Sequence, residues 1–317
     1  MALDIVIQLA VMLGSLAVLA AAARYVVEGA SKLAKFLGIS ELAIGFLLIS
    51  FLTSLPELSV AVVSSSGGNN NLSLGDLLGS NVTNVALILG LSATLSRSNK
   101  FDRKSIGAML MYIFLSFIPF ILIIDGQLGL ADAGIMLVIY LFFLREVLSE
   151  GAPKDNGNNG IGRKEAGVQL VVLLAGMLVV IVSAGFMVEN AVLIANSVGL
   201  FQSFIGATVI ALGTSVPELA VNITAARKGK WGLAVGNILG SNVTNITLLL
   251  GINAAMRSFE PNLLIATPIM AFILLSSGFL GYLLWKNRRL NKDDGIKLLL
   301  MYAAYLIAVA MTQVAAH

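Results

Sequence analysis

Thr53-Ser54-Leu55-Pro56-Glu57, followed by Gly79-Ser80-Asn81-Val82-Thr83-Asn84, returns later as Thr214-Ser215-Val216-Pro217-Glu218 and Gly240-Ser241-Asn242-Val243-Thr244-Asn245. Every residue of the second copy lies 161 positions after its counterpart. Glu57 and Glu218 each interrupt an otherwise apolar stretch. A carboxylate at membrane depth costs about 2.5–3.5 kcal/mol on insertion scales, so its default reading is functional. Two of them, placed symmetrically beside prolines, point to one shared cation site.

Composition supports the membrane setting. Of 317 residues 58% are hydrophobic and 12% charged, with a mean hydropathy of +0.93. A soluble domain carries about twice that charge fraction. Cysteine is absent, which excludes disulfides, iron–sulfur clusters and thiolate metal sites; the one histidine is the last residue, His317. Catalysis by Ser-His-Asp chemistry has no basis here, and no enzyme is expected. A bound metal must be held by oxygen, which selects hard cations. The net charge of +3 is spread along the chain and forms no nucleic-acid-binding stripe. No cofactor and no protein partner is expected; the implied partners are cations and the lipid bilayer.

Apolar segments run over 3–27, 41–64, 73–95, 105–124 and 128–148, then over 166–188, 202–226, 232–256, 262–285 and 296–315. Each is long enough to cross about 30 Å of hydrocarbon as a helix. The runs are continuous and do not alternate with period two, which favours helices over a barrel. The expected fold is an all-α membrane protein of ten transmembrane helices in two five-helix repeats, residues 1–150 and 166–317, joined by a linker at 151–165. The first segment lacks a basic n-region, and Glu28 and Gly38 in its flank match Glu189 and Gly199, so it reads as a helix of the fold and not as a signal peptide. Nineteen of the 20 basic residues fall in alternate turns and the linker; Arg257 is the exception. The positive-inside rule then puts the linker in the cytoplasm and both termini outside. An odd number of helices per half makes the repeat inverted, as in many secondary transporters.

The repeat is concentrated where chemistry is expected. Residues 75–93 and 236–254 are identical at 12 of 19 positions, whereas 59–74 and 220–235 share three. Pro56 and Pro217 remove the amide partners of the Leu52 and Gly213 carbonyls. Freed carbonyls at membrane depth are tolerated where they line a cavity, and there they coordinate cations. Thr53, Ser54, Thr214 and Ser215 add hydroxyl oxygens. Ser80 and Asn84 share one helix face, as do Ser241 and Asn245; these residues serve helix packing, ligation or both. Glu28, Glu41, Asp76, Asp125, Asp132 and Glu189 read as helix-end or loop residues, and Asn69–Asn71 as a polar turn.

These residues resemble the alpha repeats of the calcium/cation antiporter superfamily, in particular the prokaryotic sodium/calcium exchangers. The resemblance covers essentially the whole chain. It implies antiport of Na+ and Ca2+ by alternating access, with four cation sites at mid-membrane and helices 1 and 6 sliding across an eight-helix core. Carried over, Glu57 and Glu218 are the central ligands. Thr53, Ser54, Thr214 and Ser215, the carbonyls of Ser50 and Ala211, and Ser80, Ser241, Asn84 and Asn245 complete the set. Two departures stand out. Leu52 occupies the motif's usual glycine position, which the second half fills with Gly213. Asn84 and Asn245 are both neutral, where many relatives have one Asp.

A calcium/proton exchanger and a cation channel are the alternatives. The fixed charge evident in the pocket is −2, matched by one Ca2+ or two Na+. This predicts exchange nearer two Na+ per Ca2+ than three, with protons as competitors.

Overall fold

The computed structural model describes residues 2–96, 103–149, 162–197 and 211–315. Residues 151–161 of the expected linker and residues 202–210 of the seventh apolar segment lie outside them, and linker residues 163–165 are helical. Among the described residues there is no strand, only an isolated bridge between Leu128 and Phe259.

The first half comprises α1 (Ala2–Leu37), α2 (Glu41–Ile44), α3 (Ser50–Thr53), α4 (Leu55–Ser66), α5 (Asn70–Val82), α6 (Gly90–Leu95), α7 (Arg103–Leu115), α8 (Ile118–Leu122) and α9 (Leu130–Ser149). The second comprises α10 (Arg163–Ser197), α11 (Ala211–Thr214), α12 (Val216–Arg227), α13 (Trp231–Val243), α14 (Leu250–Met256), α15 (Leu263–Asn287) and α16 (Lys292–Ala315). Wider π-helical turns join α2 to α3 (Gly45–Ile49), α5 to α6 (Thr83–Leu89) and α13 to α14 (Thr244–Leu249). Such turns often mark functional sites. The second and third begin at matched threonines, 161 positions apart.

Seven described helices or helix runs are long and apolar enough to cross a membrane. The pair Glu41–Thr53 and Leu55–Ser66 passes the same test only when taken together, and it is bent by 47° at the break between its pieces. The expected segment 41–64 is thus broken, and 105–124 divides near Ser116 into α7 and α8. The outer helices are longer than expected: α1 has 36 residues and α10 has 35. At 1.5 Å per residue, about 50 Å of helix exceeds the hydrocarbon thickness, so each must tilt or project. No breaker stops α1 before Gly38, whose φ of +66° ends it.

Two apolar cores result. The larger unites α5, α6, α13 and α14 with α7, α9, α15 and α16. The smaller joins α1 and α10 to each other and to Ile44, Ile49, Val216 and Val221. Outward residues of the long pair, such as Val6, Val18, Leu178 and Phe186, are exposed, as lipid-facing positions require. The runs from Asn70 to Leu95 and from Trp231 to Met256 are almost wholly buried. The second run crosses the broken helix of the first half where Gly45 meets Leu233 and Gly236 meets Leu42. A Cβ on either glycine would collide with facing backbone, so only glycine permits this approach.

Candidate cation site

The site is built on two helix breaks. Helix α3 stops after Thr53, and α4 restarts at Leu55 with Pro56 and Glu57 in its first turn. Helix α11 stops after Thr214, and α12 restarts at Val216 with Pro217 and Glu218. Proline is tolerated in a first turn because the missing N–H would have no helical acceptor there. The residue between the pieces is Ser54 at φ −84°, ψ 9° in one half and Ser215 at φ −86°, ψ 4° in the other. Leu52 therefore leaves the backbone of the break as Gly213 does. Each glutamate sits at a helix N-terminus, where the unpaired amides and the positive end of the dipole favour a carboxylate.

The halves cross at this point. Thr214 and Glu218 stand beside Glu57, and Thr53 stands beside Glu218. The Ser241 hydroxyl donates to Glu218 Oε1 at 3.3 Å. Glu57 and Glu218 are each 1% exposed. Neither is in an ion pair with Lys or Arg among the described residues. Oε2 of each is buried without a hydrogen-bond partner. A buried carboxylate left half-satisfied is costly, and a cation offsets that cost directly.

Neutral oxygens surround the pair. Thr53 donates to the Ser50 carbonyl and to Asn237 Oδ1, both at 3.2 Å, and lies 3.5 Å from Ser241 Oγ. The Ser50 carbonyl also accepts the Ser54 amide at 2.9 Å, and the Ser50 hydroxyl donates to the Phe46 carbonyl. Ser215 and Ser80 hydroxyls meet at 3.4 Å. Ser54 Oγ is buried and unpartnered. Ala211 opens α11, one turn before Ser215.

Four asparagines link the halves one layer away. Asn84 donates to Asn242 Oδ1 at 2.8 Å, Asn81 to the Asn242 carbonyl at 3.2 Å, and Asn245 to Asn81 Oδ1 at 3.3 Å. The amide nitrogens hold the halves together, while Asn84 Oδ1 and Asn245 Oδ1 remain buried without partners. Packing and ligation are compatible in the same two residues.

Several expectations change. Asp76 is neither in a loop nor at a helix end: it lies inside α5 and is 9% exposed. Its Oδ1 accepts the Thr214 hydroxyl at 3.2 Å, and it lies within electrostatic reach of Glu57 and Glu218. A count of two fixed charges omitted it. Its repeat partner Asn237 was also passed over and is fully buried beside Thr53. Spacing could have found both: Asp76, Ser80 and Asn84 recur every fourth residue on one face, as do Asn237, Ser241 and Asn245. Asn70 is no turn residue. It starts α5, is 2% exposed and donates to Asn253 Oδ1 at 2.6 Å and to the Arg257 carbonyl at 3.0 Å. Glu28 and Glu189 are not helix-end residues either: Glu28 lies inside α1 and pairs with Lys228, and Glu189 lies inside α10, whereas Glu41 opens α2 and pairs with Lys230 at 2.8 Å.

Among the described residues no three His, Cys, Asp or Glu side chains gather as a compact metal cluster. A cation between Glu57 and Glu218 would rely on two carboxylates and many neutral oxygens. That donor set suits the flexible six- to eight-oxygen shell of Ca2+ and suits Mg2+ poorly.

Known proteins resemble this chain over nearly its whole length. The chain is 29% identical over 334 residues to the sodium/calcium exchanger MaX1 of Methanosarcina acetivorans, an alignment covering 90% of this chain and 93% of that one. It is 31% identical over 297 residues to the inner membrane protein YrbG of Escherichia coli, with 90% of each chain covered. The solved structure of the sodium-calcium exchanger NCX_Mj soaked with Na+ and Sr2+ superposes with a TM-score of 0.83 at 28% identity, covering 96% of this chain and 99% of that one. The family described as sodium/calcium exchanger protein matches residues 7–147 and 168–311, and the chain belongs to it.

Proposed function

We infer that this chain is an antiporter exchanging Na+ for Ca2+ across a membrane, with Glu57 and Glu218 as central ligands. The observation that carries the site is their symmetry: one carboxylate from each half, each at a matched helix break, each buried with one oxygen unpartnered. Thr53, Ser54, Thr214, Ser215, Ser80, Ser241, Asn84 and Asn245, with the Ser50 and Ala211 carbonyls, supply the neutral oxygens. The Ser50 carbonyl must exchange its Thr53 hydrogen bond for the ion.

The proposed frame is ten spans in two inverted halves. The 161-residue offset, the matched breaks and the matched π turns support it. The long pair α1 and α10 slides across the remainder to open the site alternately to each side. Its membership of a separate apolar core favours such a motion, since sliding it need not disturb the larger core. Both termini are extracytoplasmic and residue 157 is cytoplasmic. The ion pairs of Glu28 with Lys228 and Glu41 with Lys230 support this, because they put basic turns of both halves at one end. A single Cys placed at 157 is expected to react from the cytoplasmic side alone; labelling only from outside would reverse the topology.

The functional test is uptake of calcium-45 into proteoliposomes. An outward Na+ gradient should drive it, with excess Mg2+ competing weakly. Uptake driven by a pH gradient and indifferent to Na+ would make the protein a calcium/proton exchanger, and unitary currents would make it a channel.

A further inference from the structure

Among the described residues, Asp76 is the one carboxylate beside the glutamate pair that the other half does not repeat. At the opposite end Thr53 meets the neutral amide of Asn237, whereas Thr214 meets the carboxylate of Asp76. The two contacts have the same length, 3.2 Å, so only the charge differs. Asp76 Oδ2 is buried and has no hydrogen-bond partner. No Lys or Arg pairs with Asp76 among the described residues. A hydroxyl that donates to Oδ1 keeps its own lone pairs, so Thr214 and Asp76 together offer a cation both a neutral and an anionic oxygen.

The charge balance then differs from that of the glutamate pair alone. Three carboxylates, when all are ionised, carry −3. One Ca2+ leaves −1, and two Na+ also leave −1; either residue of charge is unfavourable in a site shielded from water. One additional monovalent cation neutralises both states. We propose that Asp76 and Thr214 form a subsite for one Na+ that stays bound while the Glu57–Glu218 pair alternates between one Ca2+ and two Na+. This rests on the reading of that pair as the exchange site. It makes Na+ both a competitor of Ca2+ at the pair and a helper of Ca2+ from the Asp76 end. By linkage the help is mutual: Na+ at Asp76 and Ca2+ at the pair each tighten the other.

The test is calcium titration of the purified protein by calorimetry, at alkaline pH in a large organic cation salt, with Na+ raised from zero. The expected curve has two phases. Low Na+ tightens Ca2+ binding by about tenfold, within the usual range of coupling between two sites; higher Na+ then weakens it. In Asp76→Asn the first phase disappears and Na+ only competes. Asp76→Glu, which keeps the charge, retains both phases. A merely structural role for Asp76 would shift stability without separating the phases. Simple competition at all Na+ concentrations in the unmodified protein overturns the proposal, as does a first phase that survives in Asp76→Asn. Tightening produced by acid and not by Na+ also overturns it, because the occupant is then a proton. Should Asp76→Asn fail to fold, the unmodified protein and Asp76→Glu still decide. Normal Ca2+ binding by Glu57→Gln would instead refute the exchange-site reading itself.

Discussion

The two halves break their helices alike and furnish the space around the breaks differently. Ser54 and Ser215 adopt nearly the same backbone angles, and each break sets a glutamate in the first turn of the helix that follows. Around them the first half has Leu52 and Asp76, the second Gly213 and Asn237. The difference shows which features the chemistry fixes and which the packing fixes. The glutamates and the breaks are common to both halves, as the proposed site, drawing ligands from both, requires. Gly213 is dictated by a neighbour: a Cβ there would run into the side chain of Val188 on α10. Leu52 meets no such constraint and packs against the smaller apolar core.

Equality of the glutamates is the strongest expectation. Glu57→Gln and Glu218→Gln should each reduce Na+-driven calcium-45 uptake by at least about 100-fold, since each removes a charge made to face the ion directly. Retention of function by one of them would break the symmetry. The glycine position should be unequal. Gly213→Leu forces α10 away from α11 and should slow exchange about tenfold, as overpacking at a moving contact costs about 1–3 kcal/mol. Leu52→Gly should change the flux by less than about twofold while slightly lowering stability. If the two substitutions had the same effect, the contact with Val188 would not be what selects glycine.

A smaller effect separates ligation from fastening. Asn253 accepts from Asn70 and Ser65, both at 2.6 Å, and joins the halves away from the glutamates. Asn253→Ala should lower stability by about 1–3 kcal/mol, the cost of leaving buried polar groups unpaired. It should leave the half-saturating Ca2+ concentration for uptake where it was. In contrast, Asn245→Ala removes an oxygen with no protein partner and should raise that concentration several-fold, with thermal stability changed less than in Asn253→Ala.

Much of this was legible in the sequence because a membrane simplifies the reading. Apolar length announces a span, and a carboxylate inside one announces function. The matched prolines located both breaks, and the fixed offset identified the glutamates as a pair. Asp76 was missed for a physical reason. It follows a glycine close behind the Asn69–Asn71 run, so its surroundings read as polar and terminal. Burial comes from distant elements packing on α5, chiefly α15 and, through Thr214, α11, which no local pattern records. Asn70 was misread for the same reason: its partners lie more than 180 residues away. The lengths of α1 and α10 were underestimated because charged residues such as Lys32 and Lys35 end an apolar run without ending a helix.

The position of the ion itself is the most direct test. Crystals of this protein soaked with Sr2+, a heavier stand-in for Ca2+, should give one strong anomalous peak between the carboxylates of Glu57 and Glu218. Strontium bound elsewhere in the membrane-spanning region, with no peak between these two residues, would contradict the assignment of the crossed glutamates as the centre of exchange.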